Sequence, residues 1–374
     1  MIFLLLACDP QSKVQDVNQD TAQVEEEPPV ATWDDISESL SLIQAESEAP
    51  AMGAARLEGG EVTHMGTVGL RSASDSVEVT DWDKWHLGSC TKAMTATLFG
   101  TFADEGLVSW DSTMAELFPT FDLHPDYESV TVEMMLSHTG GTWGSLTEHS
   151  DVWSLMREEG NVIETREVVA ETVLSEAPEA APGTIFLYSN VAYMIVGSAL
   201  ERMSGQSWED LMQQRIFDPL DMGSCGFGAP DSEGTLEHPW GHYNGEPVDG
   251  SFDYADNPTS LGPAGTVHCN LQDWSKFVSE QMKAYRGEST ILSTAQSQQL
   301  FETQLNNYAM GWGVVERSWA DGVALNHSGS NTMNMAVVWA APELDVAFMA
   351  TANASTDSVY MSMDEAIVMM LEFD

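Results

Sequence analysis

Ser89 and Lys92 stand three residues apart, at the start of a segment whose apolar residues recur every three or four positions. Residues three apart lie one above the other on a helix, so the lysine nitrogen can reach the serine hydroxyl. A hydroxyl beside an amine base is the arrangement of an activated nucleophile. A solvated surface pair is the alternative, and the rest of the sequence has to decide between the two.

The helix that would carry this pair is apolar on most of its surface. Its apolar side chains follow the helical period from Cys90 to Phe102, and Gly106 supplies a natural stop. Burial disfavours a charged amine, so we expect the pKa of Lys92 to fall towards neutrality, where the amine can accept a proton. Among the lysines of the chain, only Lys92 follows a serine by three positions.

The composition is that of a globular protein with one large core or two smaller ones, because 43% of the 374 residues are hydrophobic. The formal net charge of −46 would repel nucleic-acid phosphates and anionic membrane surfaces, which excludes nucleic-acid binding. Asp and Glu are spread along the whole chain. This spread favours a strongly solvated acidic surface over a patch that attracts cationic substrates.

Residues 1–8 form a short apolar run ending in Cys8, and they resemble a bacterial lipoprotein signal in which Cys8 would be lipidated. The run is shorter than usual and no basic residue precedes it, so a chance hydrophobic start is the alternative. Residues 9–33 are polar and acidic and predict a flexible linker. We therefore expect a bacterial cell-envelope protein whose membrane contact is this anchor alone, with a folded domain over residues 34–374.

Three further cysteines, Cys90, Cys225 and Cys269, allow at most one internal disulfide, and the sequence leaves the pairing open. Cys90 could itself be taken for the nucleophile. It lies about 100° around the helix from Ser89, towards the core face, so a buried structural thiol is the better interpretation.

The periodicity of the domain predicts strands at both ends and helices between them. Residues 51–72 alternate around Gly59-Gly60 as a β-hairpin. Further segments match the helical period or the strand period: helices at 132–137, 167–175, 191–203, 207–216, 271–285 and 356–373, and strands at 309–316, 333–340 and 345–352.

We therefore expect an α/β (α+β) fold, in which an antiparallel sheet from both chain ends is flanked by helices and carries a mostly helical insertion. The sheet lobe would comprise residues from about 50 to 95 and from about 290 to 374, and the helical lobe residues from about 96 to 289. A cleft between two lobes is a common place for a site.

Two later motifs could complete a site with the serine and the lysine. Tyr188-Ser189-Asn190 precedes a predicted helix, where the phenol can relay a proton and the amide can hold a substrate carbonyl. A core tyrosine is the alternative. His327-Ser328-Gly329-Ser330 leads into the strand predicted from residue 333, and its glycine permits close approach of a substrate to a sheet edge. By itself this second motif predicts a loop.

Two other histidine groups receive a structural interpretation. His138-Thr139-Gly140-Gly141 is similar to the late motif, but it lies in the helical region, where a turn is the better interpretation. His238 and His242 lack a convincing further ligand. No metal and no cofactor is expected.

In this order, Ser-x-x-Lys, Tyr-x-Asn and His-x-Gly resemble the penicillin-recognising serine hydrolases, which include class C β-lactamases and bacterial D-alanyl-D-alanine carboxypeptidases. The resemblance runs from about residue 33 to the C-terminus and includes the segments Pro182-Gly183, Ile216 to Met222 and Gly262 to Gly265. It implies acyl transfer from an amide or ester through a covalent acyl-enzyme.

The resemblance also implies roles for single residues. Ser89 would be the acylated nucleophile, and Lys92 and Tyr188 would share the acid and base work. The remaining matched residues would contact the substrate or its oxyanion: Asn190, His327, Ser328, Gly329 and Ser330. The backbone N–H groups of Ser89 and Ser330 would form the oxyanion hole.

His327 is a departure, because most β-lactamases of this family have lysine in its place. Histidine is mostly neutral at pH 7 and is less suited to hold a substrate carboxylate. A D-amino-acid peptide, as in DD-carboxypeptidases, or a small ester is therefore favoured as substrate. Two alternatives remain: a true β-lactamase, and a catalytically inert binding lipoprotein with the same fold. The sequence leaves the oligomeric state open.

Overall fold

The fold is known from a computed structural model, which describes residues 32–146, 149–158 and 160–373. The predicted signal with Cys8, and nearly all of the predicted linker, lie outside these residues. Trp33, at the end of the predicted linker, packs edge-on against Trp82 with 5.9 Å between the ring centroids. None of the described helices is long and apolar enough to cross a membrane.

The longer strands come from both ends of the described chain, and short strands lie between them. In chain order they are β1 (Asp34–Asp35), β2 (Ala51–Glu58), β3 (Glu61–Gly69), β4 (Trp85–His86), β5 (Gly226–Phe227), β6 (Gly241–Tyr243), β7 (Glu246–Val248), β8 (Val267–Cys269), β9 (Gly313–Arg317), β10 (Gly322–Ser330), β11 (Met335–Ala341) and β12 (Val346–Ala352). Seven of these described strands form one sheet in the order β1-β3-β2-β12-β11-β10-β9. Its pairs are antiparallel except for the short β1–β3 pair, which is parallel.

Helices fill the region between the two groups of strands and also cover the sheet. In chain order they are α1 (Ser37–Glu46), α2 (Thr91–Asp104), α3 (Met114–Leu117), α4 (Val132–Leu136), α5 (Ser150–Met156), α6 (Val162–Ser175), α7 (Asn190–Ser204), α8 (Trp208–Met212), α9 (Gly262–Gly265), α10 (Leu271–Tyr285), α11 (Thr294–Leu300) and α12 (Asp357–Leu371). A 3-10 turn, Gly88–Cys90, precedes α2, and a π-helical turn, Gln213–Phe217, follows α8.

The large sheet is buried on both faces. In β2, Met52 and Ala54 pack into a cluster with α1 and α12, whereas Ala55 and Leu57 face the cluster that includes α2 and α10. This alternation follows from the two-residue period of a strand. The β2–β3 hairpin and α10 match their predicted positions, and the predicted fold class is confirmed.

Four predicted elements differ from the structure. The helix predicted over 167–175 begins earlier, at Val162. The strand predicted from residue 309 begins only at Gly313, because the Ala309 N–H donates to the Trp312 carbonyl in a tight turn. The helix predicted over 207–216 changes to the π-helical turn after Met212. The His327–Ser330 motif, predicted as a loop entering the next strand, instead ends a strand of its own, β10.

A buried charge network joins the helices of the insertion. The Arg166 guanidinium has no exposed surface and pairs with Glu201 of α7 and Glu209 of α8. It also donates to the carbonyl oxygens of Thr259 and Ser260, directly before α9. The two carboxylates outweigh the effect of burial and raise the pKa of Arg166. The network therefore fixes α9 against α6, α7 and α8.

We predict that Arg166→Ala lowers the free energy of unfolding by about 3–5 kcal/mol, because it leaves the fully buried Glu201 carboxylate without its partner. Arg215→Ala is the matched control: it removes a partly exposed pair with Glu105 and should lower this free energy by about 0–1 kcal/mol. Urea unfolding followed by circular dichroism measures both. Equal losses in the two variants would contradict the role given to burial.

Candidate active site

Ser89 lies in the 3-10 turn before α2, where two glycines let the turn and strand β10 touch. A Cβ on Gly88 would lie 2.3 Å from the backbone nitrogen of Ser330, and a Cβ on Gly329 would lie 2.5 Å from that of Ser89. Gly88 also has a φ of +50°, which favours glycine. The contact brings the backbone nitrogens of Ser89 and Ser330 to the same part of the cleft.

Lys92, one helical turn after Ser89, is completely buried. Its Nζ lies 3.0 Å from Ser89 Oγ, 2.7 Å from Asn190 Oδ1 and 2.7 Å from the Ala264 carbonyl oxygen. Burial lowers the pKa of Lys92 to about 7, so the neutral amine is well populated at neutral pH. The predicted fall of this pKa therefore has its expected physical cause.

The partners of the amine determine which way its lone pair faces. A neutral amine has two N–H donors and one lone pair, and two of its three neighbours, the Asn190 amide oxygen and the Ala264 carbonyl, are acceptors only. Both N–H groups are thereby used. The lone pair is left facing the Ser89 hydroxyl, which can donate as well as accept. This is the geometry in which the amine can take the proton of the serine.

Tyr188 and Asn190 are placed by the start of α7. Ser189 caps this helix, because its hydroxyl accepts from the Ala192 N–H at 3.3 Å. The Tyr188 ring centroid lies 4.9 Å from the Lys92 nitrogen, and the Ser89 side chain lies near enough to the phenol to lower its pKa slightly against the larger effect of burial. Burial raises the pKa of Tyr188 above its ordinary value, so the phenol keeps its proton at neutral pH. It is suited to relay or donate a proton.

His327 is buried and both of its ring nitrogens have partners. Nδ1 lies 2.7 Å from the Ser328 carbonyl oxygen and Nε2 lies 3.0 Å from the Tyr308 hydroxyl. Since a carbonyl only accepts, the proton sits on Nδ1, and Nε2 accepts from Tyr308. Burial, with a smaller effect of Lys92, lowers the pKa of His327 to about 3. The imidazole is therefore neutral.

The other residues of the late motif differ in exposure. Ser328 is exposed, Gly329 is buried against the Ser89 turn, and Ser330 is half-buried with its hydroxyl 2.7 Å from that of Ser355. Ser328 lines a cavity of about 240 Å³ together with Tyr188, Tyr308, Gly313, Asn326 and His327. Ser330 lines a second, small cavity together with Ser89, Asn190 and Asn257. The motif thus contributes to two cavities.

Several residues of the cluster were not expected from the sequence. Tyr308 contacts His327, although no local pattern marks this tyrosine. Ala264 lies in the segment Gly262 to Gly265 that carries part of the resemblance, but the contact of its carbonyl with Lys92 was not expected. His138 does occupy a turn, with a φ of +59°, but its ring also packs 4.2 Å from that of Tyr188. Its Nδ1 accepts from the Ser189 N–H at 3.1 Å.

The cysteines resolve into one disulfide and one free thiol among the described residues. Cys225 and Cys269 are bonded, and Cys90 is free and buried. Burial raises the pKa of the Cys90 thiol to about 12, so it is not an activated nucleophile. In the described part of the chain, no group of three or more His, Cys, Asp or Glu side chains is placed to hold a metal ion.

An apolar cavity of about 370 Å³ lies beside Asn190, away from His327. Its described lining is mainly aromatic and aliphatic and contains no charged side chain: Trp143, Gly144, Ser145, Leu146, Ser150, Trp153, Asn190, Val191, Asn257 and Leu261. Asn190, Asn257 and Leu261 also line the small cavity at Ser89. The two spaces are therefore adjacent.

Comparison with known proteins shows similarity over most of this chain. Penicillin-binding protein 4 of Amycolatopsis lactamdurans is 26% identical over 294 residues, which are 77% of this chain and 74% of that protein. Protein flp of Staphylococcus aureus is 22% identical over 249 residues, and the match spans about half (48%) of its length. The octameric penicillin-binding protein homologue of Pyrococcus abyssi superimposes with a TM-score of 0.72 at 21% identity, over 89% of this chain and 76% of that one.

A protein-family model also matches this chain. The model described as Beta-lactamase matches residues 40–368, which is nearly the whole described domain. The chain belongs to the beta-lactamase family, the serine hydrolase fold that it shares with penicillin-binding proteins.

Proposed function

We propose that this protein is a serine hydrolase that takes the acyl group of an uncharged ester or amide onto Ser89 and releases it to water. One observation carries the proposal: the buried Lys92 amine lies 3.0 Å from Ser89 Oγ, and two acceptor oxygens at 2.7 Å engage its N–H groups, which leaves its lone pair for the serine when the amine is neutral. A serine hydroxyl is a weak nucleophile until a base accepts its proton. The second requirement, stabilisation of the oxyanion, is met by two backbone N–H groups at the Gly88–Gly329 contact.

The proposed reaction has two halves. Ser89 Oγ attacks the substrate carbonyl, its proton passes to the Lys92 amine, and the oxyanion lies between the N–H groups of Ser89 and Ser330. The carbonyl carbon then loses its bond to the leaving group, which takes the proton of the Lys92 ammonium through the Tyr188 hydroxyl. In the second half a water molecule gives its proton to the neutral Lys92 and attacks the acyl carbon. The bond from this carbon to Ser89 Oγ breaks, Lys92 returns the proton to Oγ, and the acid is released.

The cavity beside His327, where the leaving group would lie, favours an uncharged substrate. The cavity beside His327 has no lysine or arginine in its described lining, and His327 is neutral with both nitrogens engaged. A free carboxylate would gain no cation there, and the net charge of −46 would repel it further. Of the two substrate classes expected from the sequence, the small ester or amide is therefore favoured over a peptide that ends in a free carboxylate.

The cavity beside Asn190, where the acyl group of the substrate would lie, favours an apolar group. The cavity beside Asn190 has the size of a small-ligand pocket and is walled by Trp143, Leu146 and Trp153. An aromatic or aliphatic acyl chain would bury apolar surface there.

Two other functions are tested beside this one. The relative named penicillin-binding protein 4 keeps β-lactams among the candidate substrates. An inert binding protein with the same fold is the second alternative, because family membership alone does not establish turnover.

Location in the bacterial cell envelope, with lipidation at Cys8, remains a prediction from residues outside the described range. The Cys225–Cys269 disulfide favours a compartment outside the cytoplasm, since disulfides persist in oxidising surroundings. Metabolic labelling with radioactive palmitate tests the anchor in bacteria that express the chain. We expect label in the wild-type protein and none in Cys8→Ala, and an unlabelled wild-type protein would refute lipidation.

We predict that Ser89→Ala abolishes hydrolysis of nitrophenyl phenylacetate, whereas Cys90→Ala, a change at the neighbouring buried thiol, retains it. With wild-type enzyme, the amide and methyl ester of acetyl-D-alanyl-D-alanine should react at least about tenfold faster than the free acid, because the site offers the carboxylate no cation. Liquid chromatography of the products measures the rate for the amide and the rate for the methyl ester, each relative to the rate for the free acid. Preference for the free acid would favour a carboxypeptidase, and rapid turnover of a chromogenic cephalosporin would favour a β-lactamase.

We predict that kcat/KM for the ester rises with pH through about 7 and then levels. The pKa of Lys92 is lowered to about 7, so at pH 5 only about 1% of the amine is neutral and able to accept the proton of Ser89. Below pH 7 the rate should therefore increase about tenfold per pH unit. A rate that is constant between pH 5 and 8, or that rises only above pH 9, would exclude Lys92 as the base.

A further inference from the structure

Asp256 is a buried carboxylate outside the catalytic cluster, and one of its oxygens is the meeting point of three groups. Its Oδ1 accepts from the Asn257 backbone N–H at 2.7 Å and from the Asn331 side-chain amide at 3.0 Å. The same oxygen lies 2.8 Å from Nε2 of His86, whose side chain has no exposed surface. The three groups belong to distant parts of the chain.

The first connection leads to the turn that carries the nucleophile. Nδ1 of His86 accepts from the Gly88 N–H at 3.1 Å. The proton of a neutral imidazole is then on Nε2, which lies 2.8 Å from Asp256 Oδ1 as a close polar contact without hydrogen-bond alignment. Gly88 directly precedes Ser89. The position of the Ser89 backbone nitrogen is thereby tied, through His86, to the Asp256 carboxylate.

The second connection leads to the end of strand β10. The Asn331 amide nitrogen donates to Asp256, and the Asn331 side-chain oxygen accepts from the N–H groups of Met333 and Asn334 at 3.2 and 2.9 Å. Asn331 directly follows Ser330. The same carboxylate oxygen is thus linked to a neighbour of each backbone N–H group of the oxyanion hole.

The third connection leads towards Lys92. The Asn257 N–H is held by Asp256, and the Asn257 side chain donates to the Gly265 carbonyl at 2.9 Å. Gly265 follows Ala264, whose carbonyl accepts from the Lys92 amine. Asn257 also lines the small cavity at Ser89. The nucleophile turn, the end of β10 and the acceptor of the base all converge on one side chain.

We propose that Asp256 is a positioning residue that fixes the separation of the Ser89 and Ser330 N–H groups through His86 and Asn331; this inference rests on the proposed acyl transfer. Packing alone does not explain the carboxylate. Its Oδ2 is buried without a hydrogen-bond partner among the described residues, which makes the group costly to retain. Asp256 touches neither the nucleophile nor the base, so its effect passes through its neighbours.

We expect loss of the Asp256 carboxylate to weaken stabilisation of the transition state more than substrate binding. Loss of one oxyanion donor reduces kcat by about 100- to 1000-fold in serine hydrolases, and displacement of a donor should do part of that damage. Asp256→Ala should therefore lower kcat about 10- to 100-fold and leave KM within about threefold. Asp256→Asn retains an oxygen at the meeting point and should recover most of this loss.

The experiment measures kcat and KM for nitrophenyl phenylacetate and the Kd of phenylboronic acid, which forms a tetrahedral adduct on the serine. Asn331→Asp is a second variant, because it keeps the acceptor of the turn and replaces the donor to Asp256 with a carboxylate oxygen, which breaks this connection. Both Asp256→Ala and Asn331→Asp should weaken boronate binding by about the factor lost from kcat. Asp231→Ala is the matched control, a buried aspartate that accepts from Thr235, Leu236 and Trp240 and should leave kcat within about threefold.

Three outcomes would overturn the inference: kcat within threefold of wild type in folded Asp256→Ala and Asn331→Asp, a loss confined to KM, or an equal loss in Asp231→Ala. Failure of the proposed function can be distinguished from failure of the Asp256 inference. If wild-type protein hydrolyses no ester but Ser89 still reacts with a fluorophosphonate, the proposed function fails, while the phosphonylation rates of the variants still test Asp256. If Ser89 does not react either, both are wrong.

Discussion

The site depends on the burial of one amine. Lys92 has no exposed surface, and a charged ammonium there would lose its hydration for the sake of two neutral acceptors and a hydroxyl. The neutral form avoids most of that cost, which is why burial moves its pKa to about 7. The same burial requires every polar partner to be in place. Asn190 comes from the start of α7 and Ala264 from α9, so the base is assembled by two separate parts of the helical insertion.

The sheet imposes the second constraint. Ser89 and Gly329 are far apart in sequence, and they meet because strands from both ends of the domain join in one sheet beside α2. Their backbones approach more closely than any Cβ would allow, so glycine is required at positions 88 and 329 for steric reasons. In the proposed mechanism this contact forms the oxyanion hole, and the Asp256 network links to residues beside it. The catalytic turn is therefore fixed by tertiary contacts from several elements and not by α2 alone.

How much of the site could be predicted depended on the range of each interaction. Ser89 and Lys92 were recognisable because helix geometry couples residues three apart, and Tyr188 and Asn190 because they stand at a capped helix start. The neutrality of His327 at pH 7 was expected, but its main cause, burial of the ring in the tertiary structure, was not. Ala264 contributes a backbone oxygen and Asp256 acts through two other residues, and neither leaves a local pattern. The fold class followed from periodicity, whereas the early part of the strand predicted at 309–316 did not form because the chain turns between Ala309 and Trp312.

The neutral state of Lys92 can be observed directly. The chain has five lysines, so a protein labelled with lysine enriched in ¹³C at Cε gives a spectrum simple enough to titrate between pH 5 and 11. One resonance should titrate near pH 7, where burial sets the pKa of Lys92, and it should be missing from Lys92→Arg. If all five resonances instead titrate above pH 9, the amine is a cation at neutral pH, and Lys92 cannot be the group that accepts the proton of Ser89.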